Sequence, residues 1–266
     1  MRFALSEIST LNASFEEDVR AYAAAWFDGI GIWEMKLPPD DAANVALLRE
    51  AGLGVANCVP AIPSILPLRL PGMEGPPDPA DRVAALCASM TRLAQYEPES
   101  VLVLTGPAQD EHSRATVVAG LFRIAEAAAL AGVRLGLEPS HPSQHESVSF
   151  VNWIDDTLAL LSEAGLDHVG LMADTYNLWN EPPEALAAVA DRVTGLHVAD
   201  VPTELDRTDR ALPGEGGTRS SDQVAALRAA GWDGYLDVEI FSTPDGFWAL
   251  PVDEAARQAY AAITRL

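Results

Sequence analysis

The chain has 266 residues, of which 48% are hydrophobic and 21% are charged, an ordinary composition for a globular protein with a large core. Its 39 acidic residues outnumber its 17 basic ones and give a net charge of −22. Because a protein that grips a phosphate backbone needs the opposite sign, we expect neither nucleic acid nor an anionic membrane surface as a partner. No apolar stretch approaches the length of a membrane span.

The cysteines and the N-terminal residues bear on where the protein works. Cys58 and Cys87 have the spacing of neither a metal site nor a disulfide framework. The N-terminal residues reach the acidic Glu7 too early to hold a signal-peptide core. We therefore expect a cytoplasmic protein, for which a homo-oligomer is a possible assembly.

Strand and helix patterns alternate along the whole chain. Short apolar runs predict buried parallel strands, and a helical stretch follows each of them. The predicted strands are Phe3–Ser6, Ile30–Trp33, Val55–Val59, Val101–Leu104, Leu135–Glu138, Val169–Ala173, Gly195–Val198 and Tyr235–Ile240. The predicted helices are Phe15–Phe27, Asp41–Ala51, Ala80–Tyr96, Ser113–Ala131, Trp153–Ala164, Glu184–Asp191, Ser221–Ala230 and Asp253–Ile263. Eight such units predict a (β/α)8 TIM barrel that forms one domain over residues 1–266.

Local signals mark several of the predicted helix ends. Ser14 and Glu17 have the spacing of a capping box at the start of the first helix. Four helices end in Ala-Gly, where glycine is the usual C-cap residue. These glycines are Gly52, Gly132, Gly165 and Gly231.

Each of the last four predicted strands ends on a side chain that can bind a metal ion. An acidic residue after a strand often caps the next helix, and Asp174 alone would favour that interpretation. Four such groups, with no Lys or Arg at the strand ends to neutralise them, would repel one another or stay protonated without a cation. We therefore predict a metal site made of Glu138, Asp174, His197 and Glu239. A doubly wound open sheet gives the same alternation of elements, but four successive strand ends converge more readily in a closed ring.

The predicted ligands limit the metal and the chemistry. Carboxylate oxygens favour one Mn²⁺ or Mg²⁺ ion, and the imidazole leaves Co²⁺, Zn²⁺ and Fe²⁺ open. Three carboxylates around a divalent ion leave a small excess of negative charge, which suits a neutral polyol or keto-sugar. The metal would act as a Lewis acid on a carbonyl and stabilise the enediolate that forms when an adjacent proton leaves. Glu138 and Glu239 would then serve as the catalytic proton acceptor and donor.

Three further features are candidates for a role at the mouth of the barrel. The Pro-rich segment Ala61–Pro79 is too long for a plain connection, so it is predicted to cover the mouth as a lid or to form an ordered surface loop. The Gly-rich segment Pro213–Gly217 follows the seventh strand, where some barrels bind phosphate, but Glu215 within it favours a simple turn. Trp33, Trp179 and Trp248 follow strand ends and could line the mouth or pack on its rim.

Motifs spread over nearly the whole chain carry a resemblance to a known family. They are LSEISTL, GLEPSHP, GLMADTYN, LHVAD, DRALPGEG and DVEIF. With these motifs the chain resembles the xylose-isomerase-like barrel superfamily of sugar isomerases and epimerases, and in particular its inosose (2-keto-myo-inositol) isomerase branch. The resemblance implies a divalent metal held by the same four residues. It also implies substrate contacts from Arg210, from His141 with Pro142, and from Glu7.

One position departs from the family pattern. Many relatives carry a substrate-contacting histidine three residues after the aspartate of the sixth strand, where this chain has Asn177. Asparagine can donate a hydrogen bond but cannot act as an acid or base near neutral pH. The departure leaves the predicted metal site intact and puts the exact reaction in doubt.

The favoured interpretation is a metal-dependent isomerase or epimerase acting on a sugar, keto-sugar or cyclitol. A lyase on the same scaffold, such as an inosose dehydratase or a C-glycoside-cleaving enzyme, would use the same proton abstraction and then expel a group. A non-catalytic sugar-binding accessory subunit is the alternative from another class, although the complete set of ligands argues against it. An endonuclease for abasic DNA shares the barrel, but it needs a cationic groove that the net charge disfavours.

Overall fold

A computed structural model of the protein describes residues 1–70, 75–203 and 209–266. Eight parallel strands close into a barrel in which each strand pairs with the next along the chain and the last pairs with the first. The strands are β1 (Arg2–Ser6), β2 (Gly29–Trp33), β3 (Gly54–Val59), β4 (Val101–Val103), β5 (Leu135–Leu137), β6 (Gly170–Asp174), β7 (Val193–Val198) and β8 (Tyr235–Val238). The helices are α1 (Phe15–Ala24), α2 (Asp41–Ala51), α3 (Pro79–Leu93), α4 (Ser113–Ala131), α5 (Ile154–Glu163), α6 (Pro183–Ala188), α7 (Ser220–Ala229) and α8 (Val252–Ile263). The predicted (β/α)8 barrel is confirmed.

Within the described ranges, no helix combines the length and the apolarity that crossing a membrane requires. The main hydrophobic core lies between the strands and the surrounding helices, where Leu5, Ile30 and Leu236 are fully buried. A second, smaller apolar cluster lies apart from it. Its buried members are Ile8, Trp33, Val59, Leu68, Leu102, Leu104 and Met172.

The predicted capping box is present, and glycine is the C-cap at Gly52 and Gly132, whereas Ala164 and Ala230 hold that position one residue before Gly165 and Gly231. The first helix ends earlier than predicted. Ser14 and Glu17 form the reciprocal capping box at the start of α1. Helix α1 was predicted to reach Phe27, but it ends at Ala24 because Trp26 adopts a left-handed φ of 73°. The Phe27 amide then donates to the Tyr22 carbonyl, which closes the helix end.

Three strands also end earlier than the apolar runs suggested, and the first of them, β4, ends at Val103 rather than Leu104. Strand β5 ends at Leu137 and strand β8 at Val238, so Glu138 and Glu239 each follow a strand directly. Asp174 and His197 instead lie within β6 and β7, as partners in the parallel pairing of those strands. All four side chains therefore stand at the C-terminal mouth of the barrel, where barrel active sites are found.

The described part of the predicted lid segment is fixed against β4. The Ile65 amide donates to the Leu104 carbonyl at 3.1 Å, and the Leu66 amide donates to the Thr105 carbonyl at 2.9 Å. Ile65 and Leu66 are buried. The segment thus lies at the mouth, as expected for Ala61–Pro79, whereas residues 71–74 lie outside the described part of the chain. A lid function stays a prediction.

Candidate metal centre

Glu138, Asp174 and His197 converge at the mouth of the barrel. One ligand atom from each lies within 4.8 Å of the others, and all three side chains are buried. The convergence follows from the sheet, because Asp174 and His197 are register partners on adjacent strands and Glu138 follows the strand on the other side of β6. Three of the four predicted ligands therefore form one compact group.

The two oxygens of Asp174 have different surroundings. Oδ1 accepts a hydrogen bond from the Tyr176 amide at 2.8 Å, which is the local capping contact that the sequence allowed. Oδ2 is buried and accepts no hydrogen bond from the described residues, although Nη1 of Arg210 lies 2.9 Å from it. The contact with Arg210 is therefore ionic rather than a well-directed hydrogen bond. One oxygen serves the turn, and the other is available to a cation.

The two ring nitrogens of His197 are also distinct. Nε2 lies 3.2 Å from Oδ1 of Asn57, whose own Nδ2 donates to Asp237 Oδ2 at 2.6 Å. Because the Asn57 amide nitrogen is used on Asp237, its oxygen must accept from His197, which places a proton on Nε2. Nδ1 is buried without a hydrogen-bond partner among the described residues. It faces Glu138 and Glu239, and it would offer its lone pair to a metal ion that displaces the proton from this nitrogen.

Glu239 stands beside this group and is held by Arg210. Its Oε2 lies 3.4 Å from Nδ1 of His197 and 3.0 Å from Nη1 of Arg210. Arg210 also donates to the Glu239 carbonyl at 3.2 Å. Glu239 thus lies next to the compact group of three without being part of it, and its role as a fourth ligand stays a prediction.

Burial and neighbouring charges shift the pKa values in this region. The pKa of Glu138 is raised to about 7, chiefly by burial, with Glu239 and Asp174 also raising it and His197 lowering it. Burial likewise raises the pKa of Asp237 to about 7. Burial disfavours the charged form of His197, but the surrounding carboxylates outweigh it and raise its pKa to about 10. Arg210 pairs with Asp174 and Glu239. His197 is protonated near neutral pH when no cation is bound, and a divalent ion would displace that proton.

A cavity of about 220 Å³ opens next to the group. Five of the predicted site residues line it, namely Glu138, Glu239, Arg210, Asn177 and Trp33. Asn177 donates from Nδ2 to Oε1 of Glu138 at 3.1 Å. The residue that departs from the family pattern therefore orients one of the two predicted catalytic carboxylates.

The other three predicted substrate contacts are not part of this cavity wall. Glu7 is fully buried, accepts a hydrogen bond from the Trp33 amide at 2.9 Å, and has a pKa raised well above its usual range by burial. The ring of His141 stacks on that of Trp179, with the centroids 5.6 Å apart. Trp179 remains 41% exposed. Substrate contact by Glu7, His141 and Trp179 stays a prediction.

Sequence reasoning missed four residues that shape the centre. Asn57 and Asp237 orient His197 from below, and the rings of Tyr176 and Phe241 face the Arg210 guanidinium at 4.5 and 4.9 Å. Asp237 carried a usable signal, because it alternates with the predicted ligand Glu239 at the period of two that puts strand side chains on one face. Asn57 was a polar residue within a buried apolar strand, which is a weaker signal of the same kind.

The Gly-rich loop after β7 forms a turn around an internal carboxylate. The amides of Gly214 and Gly216 both donate to Oδ2 of Asp200, at 3.0 and 3.2 Å. The Ser220 amide donates to Oδ1 of the same residue. The turn interpretation is confirmed, because these donors are already bound and the Asp200 carboxylate holds the place that an anion would need.

The fold and this site define a (β/α)8 barrel with a buried carboxylate and imidazole centre at the C-terminal ends of its strands. The donor set fits a divalent cation, and two of its ligand atoms, Asp174 Oδ2 and His197 Nδ1, are buried without a hydrogen bond from the described residues. The family model of the xylose isomerase-like TIM barrel matches residues 19–266, and the chain belongs to this family. The resemblance read from the motifs is confirmed, while the more specific inosose isomerase branch stays a prediction.

Individual relatives are more distant. The 3-dehydroshikimate dehydratase of Pseudomonas aeruginosa is 26% identical over 255 residues, which cover 91% of this chain and 38% of that protein. The chain thus spans well under half of that relative's length. The structure of the IolI protein with a bound zinc atom is 19% identical, covers 100% of this chain and 97% of that one, and has a TM-score of 0.81.

A second solved structure is the 3-keto-D-glucoside 4-epimerase YcjR from E. coli. It is 20% identical to this chain, covers 100% of both chains, and has a TM-score of 0.77. At these identities, both structural likenesses show a shared fold.

Proposed function

We propose that the protein is a divalent-metal-dependent isomerase or epimerase that moves a proton at the carbon next to the carbonyl of a keto-sugar or cyclitol. The observation that carries the proposal is the placement of two carboxylates in the wall of one cavity, with Glu138 3.9 Å and Glu239 3.4 Å from His197 Nδ1. Two carboxylates that face one bound substrate can act as proton acceptor and donor.

The residues have distinct roles in this proposal. Glu138, Asp174 and His197 would hold the ion, with Glu239 as a fourth ligand. When bound, the ion supplies positive charge that polarises the substrate carbonyl. Arg210 orients a substrate oxygen and fixes Glu239, since its guanidinium offers several donors in a rigid plane. Asn177 holds Glu138 in position through its amide donor.

The pKa of Glu138 suits a proton-transfer role. In the ion-free protein burial raises its pKa to about 7, so this carboxyl holds a proton more readily than an ordinary glutamate. Asn177 donates to one of its oxygens, and the carboxyl lines the cavity that the substrate would enter. Glu239, next to the Arg210 guanidinium, would be the second group that exchanges a proton with the substrate.

The test is incubation of the metal-loaded protein in D₂O with a panel of keto-sugars and inososes. Deuterium should appear at the carbon beside the carbonyl, together with an isomer of the substrate. Glu239→Gln should lower turnover by roughly 10²–10⁴-fold, because it replaces the acid-base carboxyl with an amide of similar shape that cannot exchange the proton. Glu126→Gln, on the exposed face of α4, is the matched control and should behave as the wild type. If no panel member undergoes exchange or elimination, the proposal is refuted.

A dehydratase is the second candidate, and the relative described as a 3-dehydroshikimate dehydratase favours it. Elimination begins with the same proton abstraction and then expels a leaving group from the adjacent carbon. The same incubation separates the two functions, because a dehydratase yields an unsaturated product in place of an isomer.

A further inference from the structure

The wall of the cavity beside the metal centre is divided into two chemically different halves. The ends of β5 to β8 and the loops that follow them supply all of its charged and amide side chains, namely Glu138, Gln144, Asn177, Arg210 and Glu239. The ends of β2 to β4 and the segment after β3 supply an apolar half. The apolar half consists of Trp33, Val59, Pro63, Leu68, Leu70, Leu102 and Leu104.

The apolar half offers no hydrogen bond to a ligand side group. Of its described side chains, only Trp33 carries a polar atom, and the indole nitrogen already donates to Ser6 Oγ at 3.0 Å. A hydroxyl placed there would lose its water and gain no partner from these side chains, which is unfavourable. Five of the seven residues belong to the second apolar cluster, which keeps them buried and fixed. This half therefore suits a hydrocarbon or aromatic surface.

The polar half offers no positively charged side chain that is free to pair with an anionic substrate group. Arg210 is the basic side chain that the described wall contains, and it already contacts both Asp174 and Glu239. Three carboxylates, one guanidinium and one divalent ion together carry no net charge. The amides of the neighbouring Gly-rich loop donate to Asp200. A phosphate or carboxylate on the substrate would find no unpaired positive group among these residues.

We propose that the substrate of this site is an uncharged keto compound that carries hydroxyls at one end and an apolar, ring-sized group at the other. A keto-sugar with an aromatic or alicyclic substituent has this chemistry. A cavity of roughly 150 Å³ is enough to bind benzene, so a volume of about 220 Å³ has room for such a ring. The assignment of the oxygen-bearing end rests on the proposed function, whereas that of the apolar end rests on the wall itself.

The test compares the binding of small probes to the Mn²⁺-loaded protein by calorimetry. Glycerol and 1-phenylethane-1,2-diol both offer vicinal hydroxyls, but only the second adds a ring. The phenyl diol should bind at least about tenfold more tightly, because the ring buries its apolar surface against the wall. Glycerol 3-phosphate should bind no more tightly than glycerol. Equal affinities for the two diols, or a preference for the phosphate, would overturn the proposal.

Variants of the cavity wall test whether the preference for the phenyl diol depends on its apolar half. Leu68→Ser should remove most of the preference for the phenyl diol, and Val148→Ser, at a half-buried position of the same cavity, provides a milder change. Leu130→Ser is the matched control, since Leu130 lies 91% exposed on α4. A preference that survives both cavity variants would overturn the assignment.

The outcome is separable from that of the proposed function. A clear preference for the phenyl diol without any exchange in D₂O would refute the proposed reaction and leave this inference standing. Exchange on unsubstituted keto-sugars with no preference for apolar probes would refute this inference alone.

Discussion

His197 connects the mouth of the barrel to its interior. Its Nδ1 faces the candidate metal position, and its Nε2 meets the Asn57 oxygen at 3.2 Å. Metal-ligating histidines commonly donate their second ring nitrogen to a partner that fixes the ring and its tautomer. Asn57 is that partner, and Asp237 in turn fixes Asn57. The orientation of one ligand thus depends on residues of β3 and β8.

Replacing Asn57 with Leu tests this arrangement. The variant keeps the approximate volume and removes both the acceptor for His197 and the donor to Asp237. Metal affinity should fall about 10–100-fold, as is usual when such a partner is lost. A chelating dye in competition with the protein measures the affinity. Asn44→Leu is the matched control. Asn44 is a buried residue of α2 that donates to the Pro38 carbonyl and the Tyr96 hydroxyl, and its loss should leave the metal affinity unchanged. An unaltered affinity in Asn57→Leu would contradict the role assigned to Asn57.

The candidate metal ligands that the structure brings together were predictable from the sequence, and the residues that contact them were not. Glu138, Asp174 and His197 stand at the ends of apolar runs, which is a local signal. Asn57 and Asp237 meet across 180 positions of the sequence, so their contact depends on barrel closure rather than on any local pattern. Glu7, His141 and Trp179 show the opposite case. Motif position suggested substrate contact for Glu7 and His141, and a strand-end position suggested it for Trp179, but the structure places all three outside the described cavity wall.

At the scale of single elements, strand β2 makes room for the interior polar pair. A Cβ added at Gly31 would lie 2.1 Å from Oδ2 of Asp237, so a side chain at this position is incompatible with the observed position of the carboxylate. Glycine within a strand often marks such a close approach. The small residue on β2 therefore belongs to the architecture of the metal centre.

Gly31→Ala should displace Asp237 and destabilise the barrel. Forcing a methyl group into a filled interior costs about 1–3 kcal/mol, and metal affinity should fall with it because Asn57 loses its partner. Chemical denaturation measures the stability. Gly217→Ala is the control, since its added Cβ would meet only ordinary contacts from 3.5 Å outward, and such surface changes stay within about 0.5 kcal/mol. Equal stabilities of the two variants would show that Gly31 is not constrained in this way.

Element type was easier to predict than element ends. Period and glycine caps predicted all eight units, but α1 ended early through the left-handed Trp26, and β5 and β8 stopped before their carboxylates. The apolar run continues past the last ladder hydrogen bond because the mouth of the barrel is itself buried. The buried run and the hydrogen-bonded strand thus end at different residues, and the hydrophobic pattern of the sequence indicates only where the buried run ends.

At the scale of the whole molecule, the net charge of −22 opposes compaction. Most of this charge lies on the surface, where like charges repel one another and salt screens them. The melting temperature should therefore rise when NaCl is increased from about 10 mM to about 150 mM, a range over which the Debye length falls from roughly 30 Å to 8 Å. Scanning calorimetry at fixed pH measures it. A melting temperature that falls with salt would mean that favourable ion pairs, such as that of Arg114 with Glu163, outweigh the repulsion.

We propose that the strand ends form a centre for one divalent ion. The decisive experiment is calorimetric titration of chelator-stripped protein with Mn²⁺, Mg²⁺, Co²⁺ and Zn²⁺. The account predicts one ion per chain for at least one of these metals, and an affinity lowered by about 100-fold or more in Asp174→Ala, because a first ligand matters more than a supporting residue. Asp156→Ala, on the exposed face of α5, should bind as the wild type. Failure of the wild type to bind any of the four ions, or undiminished binding by Asp174→Ala, would contradict the account.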